Sequence, residues 1–391
     1  MRVPPELYQI QTTLGQYLTP LRPAQQRGLA LWVYGTILAH SACQSAVLTA
    51  LLTLGRLHTI RQRLREWLMD GSDKAAPCAT QVAVSTCFAP LLRWVLSWWQ
   101  GRDLALALDA TLHGATSTAL VLSVLYRNTA IPVAWHILPA QQPGVWMDPC
   151  LTLITQLRPA VPPTMRVLVL ADRGLWSPRL WDGIRAAGWH PLLRIQQQAH
   201  FTGAGQPRGP AGKVVQSGQA WVGRGKLGTP KTRRIAVTLI AIWTPEQTEP
   251  WLVVTDLAPG QVGVSWYALR MGIELGFRCL KRVGWQWEQT RRTDPTRIGR
   301  WWLVLAVATL WVVATGTRVE DAQTVGIAPA QLRRPPPAVL DRPPRLQSIF
   351  RQGLRWMQQQ LGRGRLWTRL WLQPDPWPEP PPNVTIRIVD D

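Results

Sequence analysis

As far as about residue 98, apolar positions return every three to four residues, in LALWVYGTILAH, SAVLTALLTLG and LLRWVLSWW, which predicts packed helices. Basic segments interrupt them. RLHTIRQRLREW places Arg61, Arg63 and Arg65 near a helix, either as a solvated face over a core or as a surface for a polyanion. After Gly101 the period falls to two, and DLALALDAT, STALVLSVLY and IPVAWHILP read as strands. Arg127 to Ala130 is a short turn between two of them, predicting antiparallel neighbours. A helix over about Pro149 to Leu157, a strand in RVLVLADRG, a helix in SPRLWDGIRAAG and a strand in HPLLRIQ follow.

Three strands, a helix, a strand, a helix and a strand is the element order of a ribonuclease-H-like core. In that order the first and fourth strands lie side by side, so Asp109 and Asp172, each expected at the end of an apolar strand, would meet. An aspartate ending a strand commonly serves only as a turn or cap residue. The pair therefore needs a third partner. Between about residues 196 and 255, KVVQSGQAWVGRG, RRIAVTLIAIW and PWLVVTDL predict an inserted β subdomain. The fold expected is α/β, a ribonuclease-H-like catalytic core with that insertion, preceded by a helical N-terminal domain. The boundaries are 1–98 for the helical unit, 99–330 for the core, and 331–391 for a Pro-rich linker, a basic helix and a tail.

The third partner lies in WYALRMGIELGFRCLKR, Trp266 to Arg282, which reads as a single helix. At roughly 100° per residue with Glu274 at zero, Tyr267 falls near about +20°, Arg270 near about −40° and Lys281 near about −20°. Leu269, Gly272, Ile273, Gly276, Cys279 and Leu280 form the opposite, apolar and partly small face, suited to close packing. A surface helix with i,i+4 ion pairs would show some of this. The full spacing, however, resembles the Y-(2)-R-(3)-E-(6)-K signature of IS4-family DDE transposases, filled at every position. LALDAT and LADRG resemble that family's blocks around its first two catalytic aspartates.

Downstream, WWLVLAVATLWVVAT, Trp301 to Thr315, is uncharged but too short to span a bilayer, and is expected as a buried core helix. RRPPPAVLDRPPR predicts a semi-extended linker. A basic amphipathic helix over roughly Leu346 to Leu372 could bind DNA, a second protomer or its own core, and the tail from PDPWPEPPP is expected to be poorly ordered. Lys+Arg 43 against Asp+Glu 22 gives a net charge of +21, which calls for a polyanionic partner, nucleic acid or anionic membrane. The five cysteines form no CxxC pair or zinc spacing, so a reduced, cytosolic setting without structural zinc is expected. The first residues lack the apolar run of a secretory signal.

The resemblance implies a transposase of an insertion sequence that excises and inserts DNA. Asp109, Asp172 and Glu274 would then be catalytic ligands of two divalent ions, Mg²⁺ or Mn²⁺, with Asp109 bridging. Tyr267, Arg270 and Lys281 would hold DNA phosphates around the scissile bond, and excision would run through a DNA hairpin. The partners implied are double-stranded DNA, as element ends and target, and a second copy in the active complex, with no membrane. The place implied is the bacterial cytoplasm, at the nucleoid. Trp243 or Trp251 is the weaker candidate for stacking a flipped base, against the simpler reading that the insertion's tryptophans fill its own sheet. Arg173 and His113 flank the aspartates and are as readily structural. Arg224, Lys226, Lys231, Arg233 and Arg234 make the insertion basic. A ribonuclease-H-like nuclease or resolvase would use the same carboxylates without the Tyr267, Arg270 and Lys281 set. A captured transposase would only bind DNA.

Overall fold

The computed structural model describes residues 4–74, 81–140, 146–203, 208–229, 233–337, 345–361, 363 and 369–389. Lys231 and the linker residues 338–344 lie outside that set. The predicted N-terminal helices are present as α1 (Pro5–Tyr17), α2 (Pro23–Ala39), α3 (Gln44–Ala50), α4 (Leu57–Leu68) and α5 (Phe88–Trp98). On α4 the apolar stripe of Ile60, Leu64, Trp67 and Leu68 is buried, while Arg61, Arg63 and Arg65 face solvent.

The alternating runs form β1 (Asp103–His113), β2 (Ser117–Tyr126) and β3 (Thr129–Pro139). Arg127 and Asn128 both have positive φ, as a two-residue hairpin turn requires. Next come α6 (Met147–Leu157), β4 (Arg166–Ala171), α7 (Pro178–Ala186) and β5 (His190–Arg194). The Ser177 side chain caps α7 by accepting from the Leu180 N–H at 3.0 Å. In the sheet these strands run β3-β2-β1-β4-β5, with β1 antiparallel to β2 and parallel to β4. The adjacency of the first and fourth strands is thus present.

The inserted segment does not form a separate unit. β6 (His200–Gly203), β7 (Gly209–Pro210), β8 (Gln219–Leu227), β9 (Ile235–Trp243) and β10 (Trp251–Thr255) continue the same sheet in the order β5-β10-β9-β8-β6-β7. The junction is antiparallel pairing of Val253 with Arg194 and Val254 with Leu193, which satisfies the otherwise open edge of β5.

Trp266 to Val283 is helical throughout but is not a single α-helix. A 3₁₀ segment, Trp266–Arg270, leads into α8 (Met271–Arg278), and a π-helical turn, Cys279–Val283, closes it. The small face works as expected. A Cβ on Gly276 would stand 2.7 Å from the Ala130 Cβ, and one on Gly272 would stand 3.0 Å from the Thr129 carbonyl, so α8 sits against β3 at a spacing that only glycine permits.

Behind the sheet lies α9 (Pro295–Thr324), longer than the apolar run that marked it. It is long and apolar enough to cross a membrane, yet 94% of its apolar window is buried inside the protein, as in a core helix. Trp301 packs on Trp32 at 5.1 Å between ring centroids and Trp311 on Trp94 at 5.2 Å, so the N-terminal helices share its core. α10 (Ile349–Leu361) is shorter than its expected Leu346 to Leu372; residue 362 and residues 364–368 fall outside the described set. Its apolar face packs on α9, the third of the three roles open to it. A Cβ on Gly353 would stand 1.9 Å from the Val312 carbonyl, which measures how closely the two backbones cross.

The tail expected to be poorly ordered is instead built into the molecule. β11 (Thr385–Val389) adds to β8 in parallel register, and Trp377 stacks edge-on against Trp266 at 4.5 Å. Upstream, Asp375 joins a buried cluster around Arg127, whose fully buried guanidinium also meets Glu320 at 2.7 Å, Asp321 at 3.0 Å and the Gln373 carbonyl at 2.7 Å. Backbone pairing and apolar contact hold a segment that its proline content alone would leave loose.

Candidate active site

The site begins with one register. Leu108 pairs with Ala171, where β4 ends, so Asp172 is the first residue past the strand and emerges beside Asp109. Asp109 itself is not at a strand end. β1 runs on to His113 because β2 continues to pair with it, and only the parallel pairing with β4 stops, at Leu108, just before Asp109. Each carboxylate accepts from the N–H of the next residue, Asp109 from Ala110 and Asp172 from Arg173, both at 2.8 Å.

Glu274 and Arg270, one turn apart on the 3₁₀ segment and α8, complete the group. The Arg270 guanidinium donates to Asp109 Oδ2 at 2.7 Å and to Glu274 Oε1 at 3.2 Å, while its buried Nε has no partner among the described residues. Burial pushes the Asp109 carboxyl above its ordinary range, and the charges of Asp172 and Glu274 push the same way, against Arg270 and the Ala110 N–H. Burial would lower Arg270, but Asp109 foremost, with Tyr267, Asp172 and Glu274, holds its guanidinium net above the usual value. Mutual electrostatic influence therefore links all three carboxylates and the arginine.

Tyr267 is buried and donates to the Ala171 carbonyl at 3.4 Å, one residue before Asp172. Burial raises its phenol, so it remains a neutral donor. The Trp251 ring stands 5.5 Å from the Tyr267 ring, nearly perpendicular, which puts this half-buried tryptophan at the edge of the site. Trp243 is elsewhere. Ile242 is the cross-strand partner of Trp251, so Trp243, one residue on, projects from the opposite face of the sheet. Only one of the two expected stacking candidates can serve this site.

Lys281 is not joined to the carboxylates. It pairs with Glu288 at 3.4 Å and acts electrostatically on His113. A π-helical turn holds more residues than an α-helical one, so 100° per residue no longer applies past Arg278. His113 is itself buried, within hydrogen-bond distance of the Arg292 carbonyl at 3.0 Å and against the tilted Trp287 ring at 4.3 Å, a structural setting.

Two residues with no motif to mark them enter the site. Arg194, the last residue of β5, lies 3.7 Å from Asp172 and 2.5 Å from Glu249. Glu249 also accepts from Arg173 at 3.1 Å and from Gln197 at 3.0 Å. With Gln196 and Gln198, Glu249, Gln197 and Arg173 line a polar cleft of about 290 Å³. The only sequence signal was an arginine interrupting the apolar strand HPLLRIQ.

Oxygen-only donors suit a hard divalent cation such as Mg²⁺ or Mn²⁺. Among the described residues, no three His, Cys, Asp or Glu side chains stand close enough to enclose an ion. The guanidinium of Arg270 lies between Asp109 and Glu274. By its chemistry the donor set suits such an ion; by position, Arg270 stands between two of the three carboxylates.

Residues 148–311, less than half of the chain, match the family model described as the transposase DDE domain. The span contains Asp172, Tyr267, Arg270, Glu274 and Lys281 and starts after Asp109. No curated protein matches the chain. Among solved structures, the chain is similar to a cryo-EM structure of a piggyBac transposase synaptic complex with hairpin DNA. The identity is 10% and the TM-score 0.38, over 91% of this chain and 77% of that one. At that distance it stands as a likeness only.

Proposed function

We infer that this protein is a DDE transposase of an insertion sequence, of IS4-like type, which excises DNA by cut and paste and joins it to a target. One observation carries the reading: the β1–β4 register sets Asp109 beside Asp172, and Arg270 ties Asp109 to Glu274, in a chain that matches a transposase DDE domain. The strand order β3-β2-β1-β4-β5 is the one a ribonuclease-H-like core would have.

Asp109, Asp172 and Glu274 would hold two Mg²⁺ or Mn²⁺ ions, which when bound supply an activated water or 3′-hydroxyl and relieve charge on the leaving oxygen. Arg270 binds a phosphate beside the scissile bond through its planar fork. Tyr267 would have to turn its hydroxyl from the Ala171 carbonyl to reach a phosphate, and Trp251 offers a ring for an unpaired base should excision pass through a hairpin. Lys281, about two turns past Glu274 and paired with Glu288, contacts the DNA further along. The partners are double-stranded DNA and, for joining two ends, a second copy of the chain; the setting is the bacterial cytoplasm.

The test is Mg²⁺-dependent cleavage of duplex DNA carrying the gene's own flanks, by wild type and Glu274→Ala in parallel. Cuts at the flanks by wild type only, with DNA binding retained by the variant, are expected. Equal cutting by both would remove Glu274 from the site, and cutting of branched DNA without regard to sequence would favour a resolvase.

A further inference from the structure

Each carboxylate of the site already faces a guanidinium of the protein itself. Asp109 and Glu274 share Arg270, at 2.7 and 3.2 Å, and Asp172 faces Arg194 at 3.7 Å. The two arginines are held differently. Arg194 is anchored by Glu249 at 2.5 Å and touches Asp172 only loosely, so it keeps a partner whatever Asp172 does. Among the described residues, both ion pairs of Arg270 are with candidate metal ligands, and its buried Nε has no hydrogen-bond partner. It is also mostly enclosed, its side chain 11% exposed, so its charge cannot be left to solvent when those ligands turn to another cation.

We propose that Arg270 is a resident counter-ion that competes with divalent metal for Asp109 and Glu274, and that it exchanges these carboxylates for a DNA phosphate as metal enters. The inference rests on the reading of these carboxylates as metal ligands. Without DNA, the guanidinium neutralises the carboxylates and weakens metal binding. A phosphate that takes the guanidinium leaves both carboxylates to the metal, so metal and DNA each strengthen the binding of the other by the same factor. Arg194 does not couple in this way, because Glu249 holds it in both states.

The test uses the full chain without DNA and reads Mn²⁺ affinity by electron paramagnetic resonance of the free ion, independent of cleavage. Arg270→Gln is expected to bind Mn²⁺ roughly tenfold more tightly than wild type, the scale of one lost charged hydrogen bond. Arg270→Lys, which keeps the charge in case the first variant fails to fold, should fall between them because it cannot fork across two carboxylates. Affinity in the folded Arg270 variants equal to or weaker than wild type overturns the proposal. Asp109→Asn separates the two readings: unaltered Mn²⁺ binding there would show that the metal sits elsewhere, and the site reading itself would fail. In the positive case, adding a short DNA duplex tightens Mn²⁺ binding in wild type and leaves Arg270→Gln unmoved.

Discussion

At the scale of single residues, the chemistry is decided by what surrounds each group. Cys87 and Cys150 have thiols pushed up to about 12 by burial, and Cys279 to about 11, whereas Cys43 is part-exposed. A thiol reacts as its thiolate, so in a Cys78→Ser background a disulfide reagent at mildly alkaline pH should label Cys43 quickly and the other three only as the protein unfolds. Labelling of all four at one rate in the folded protein would contradict the packing. The same dependence on surroundings separates what was legible in the sequence from what was not. Asp109, Asp172, Glu274 and Arg270 were legible because a fixed spacing and two strand contexts marked them. Arg194 and Glu249 were not, since their meeting depends on pairing between β5 and β10 and on a loop without a motif.

Among elements, α8 shows how geometry is transmitted to a side chain. Glu274 is placed by Gly272 and Gly276, whose missing side chains let the helix rest on Thr129 and Ala130. Gly276→Ala inserts a methyl 2.7 Å from the Ala130 Cβ. It should cost about 1 to 3 kcal/mol by overpacking, read as a lower urea midpoint at an unchanged slope. By moving Glu274, it should also lower the proposed metal-dependent cleavage by up to about a hundredfold. A variant as stable and active as wild type would mean that the helix has room to spare. The small face was visible as a periodicity, but the breakdown of that periodicity in the π turn was not. Nothing in CLKRV announces a π turn, within which Lys281 pairs with Glu288.

For the molecule as a whole, the buried cluster at Arg127 joins the β2–β3 turn, α9 and the tail. Arg127→Ala leaves Asp321, itself fully buried, without its guanidinium and should cost about 3 to 5 kcal/mol. Arg127→Ala together with Asp321→Ala should recover part of that loss, since the uncompensated charge goes too. Denaturant unfolding of the single and double variants checks this; equal losses would show that Asp321 is satisfied by Trp371, which donates to it at 2.8 Å. The sequence predicted the strands of the insertion one by one, but not that they continue the core sheet, because alternation tells which face a strand buries and not which edge it joins. It also missed the tail strand, where prolines masked a short β run whose partner lies far upstream.

That partnership orders events during synthesis. β8 receives part of its outer edge from Thr385–Val389, and Arg127 receives Gln373 and Asp375, so two interior regions made early wait for residues made late. A ribosome still translating α10 therefore carries a chain whose sheet edge is open and whose buried guanidinium lacks part of its shell. The fold is expected to close only when the segment past residue 370 emerges, and a chain ended before that point should sediment as aggregate rather than as a smaller working protein.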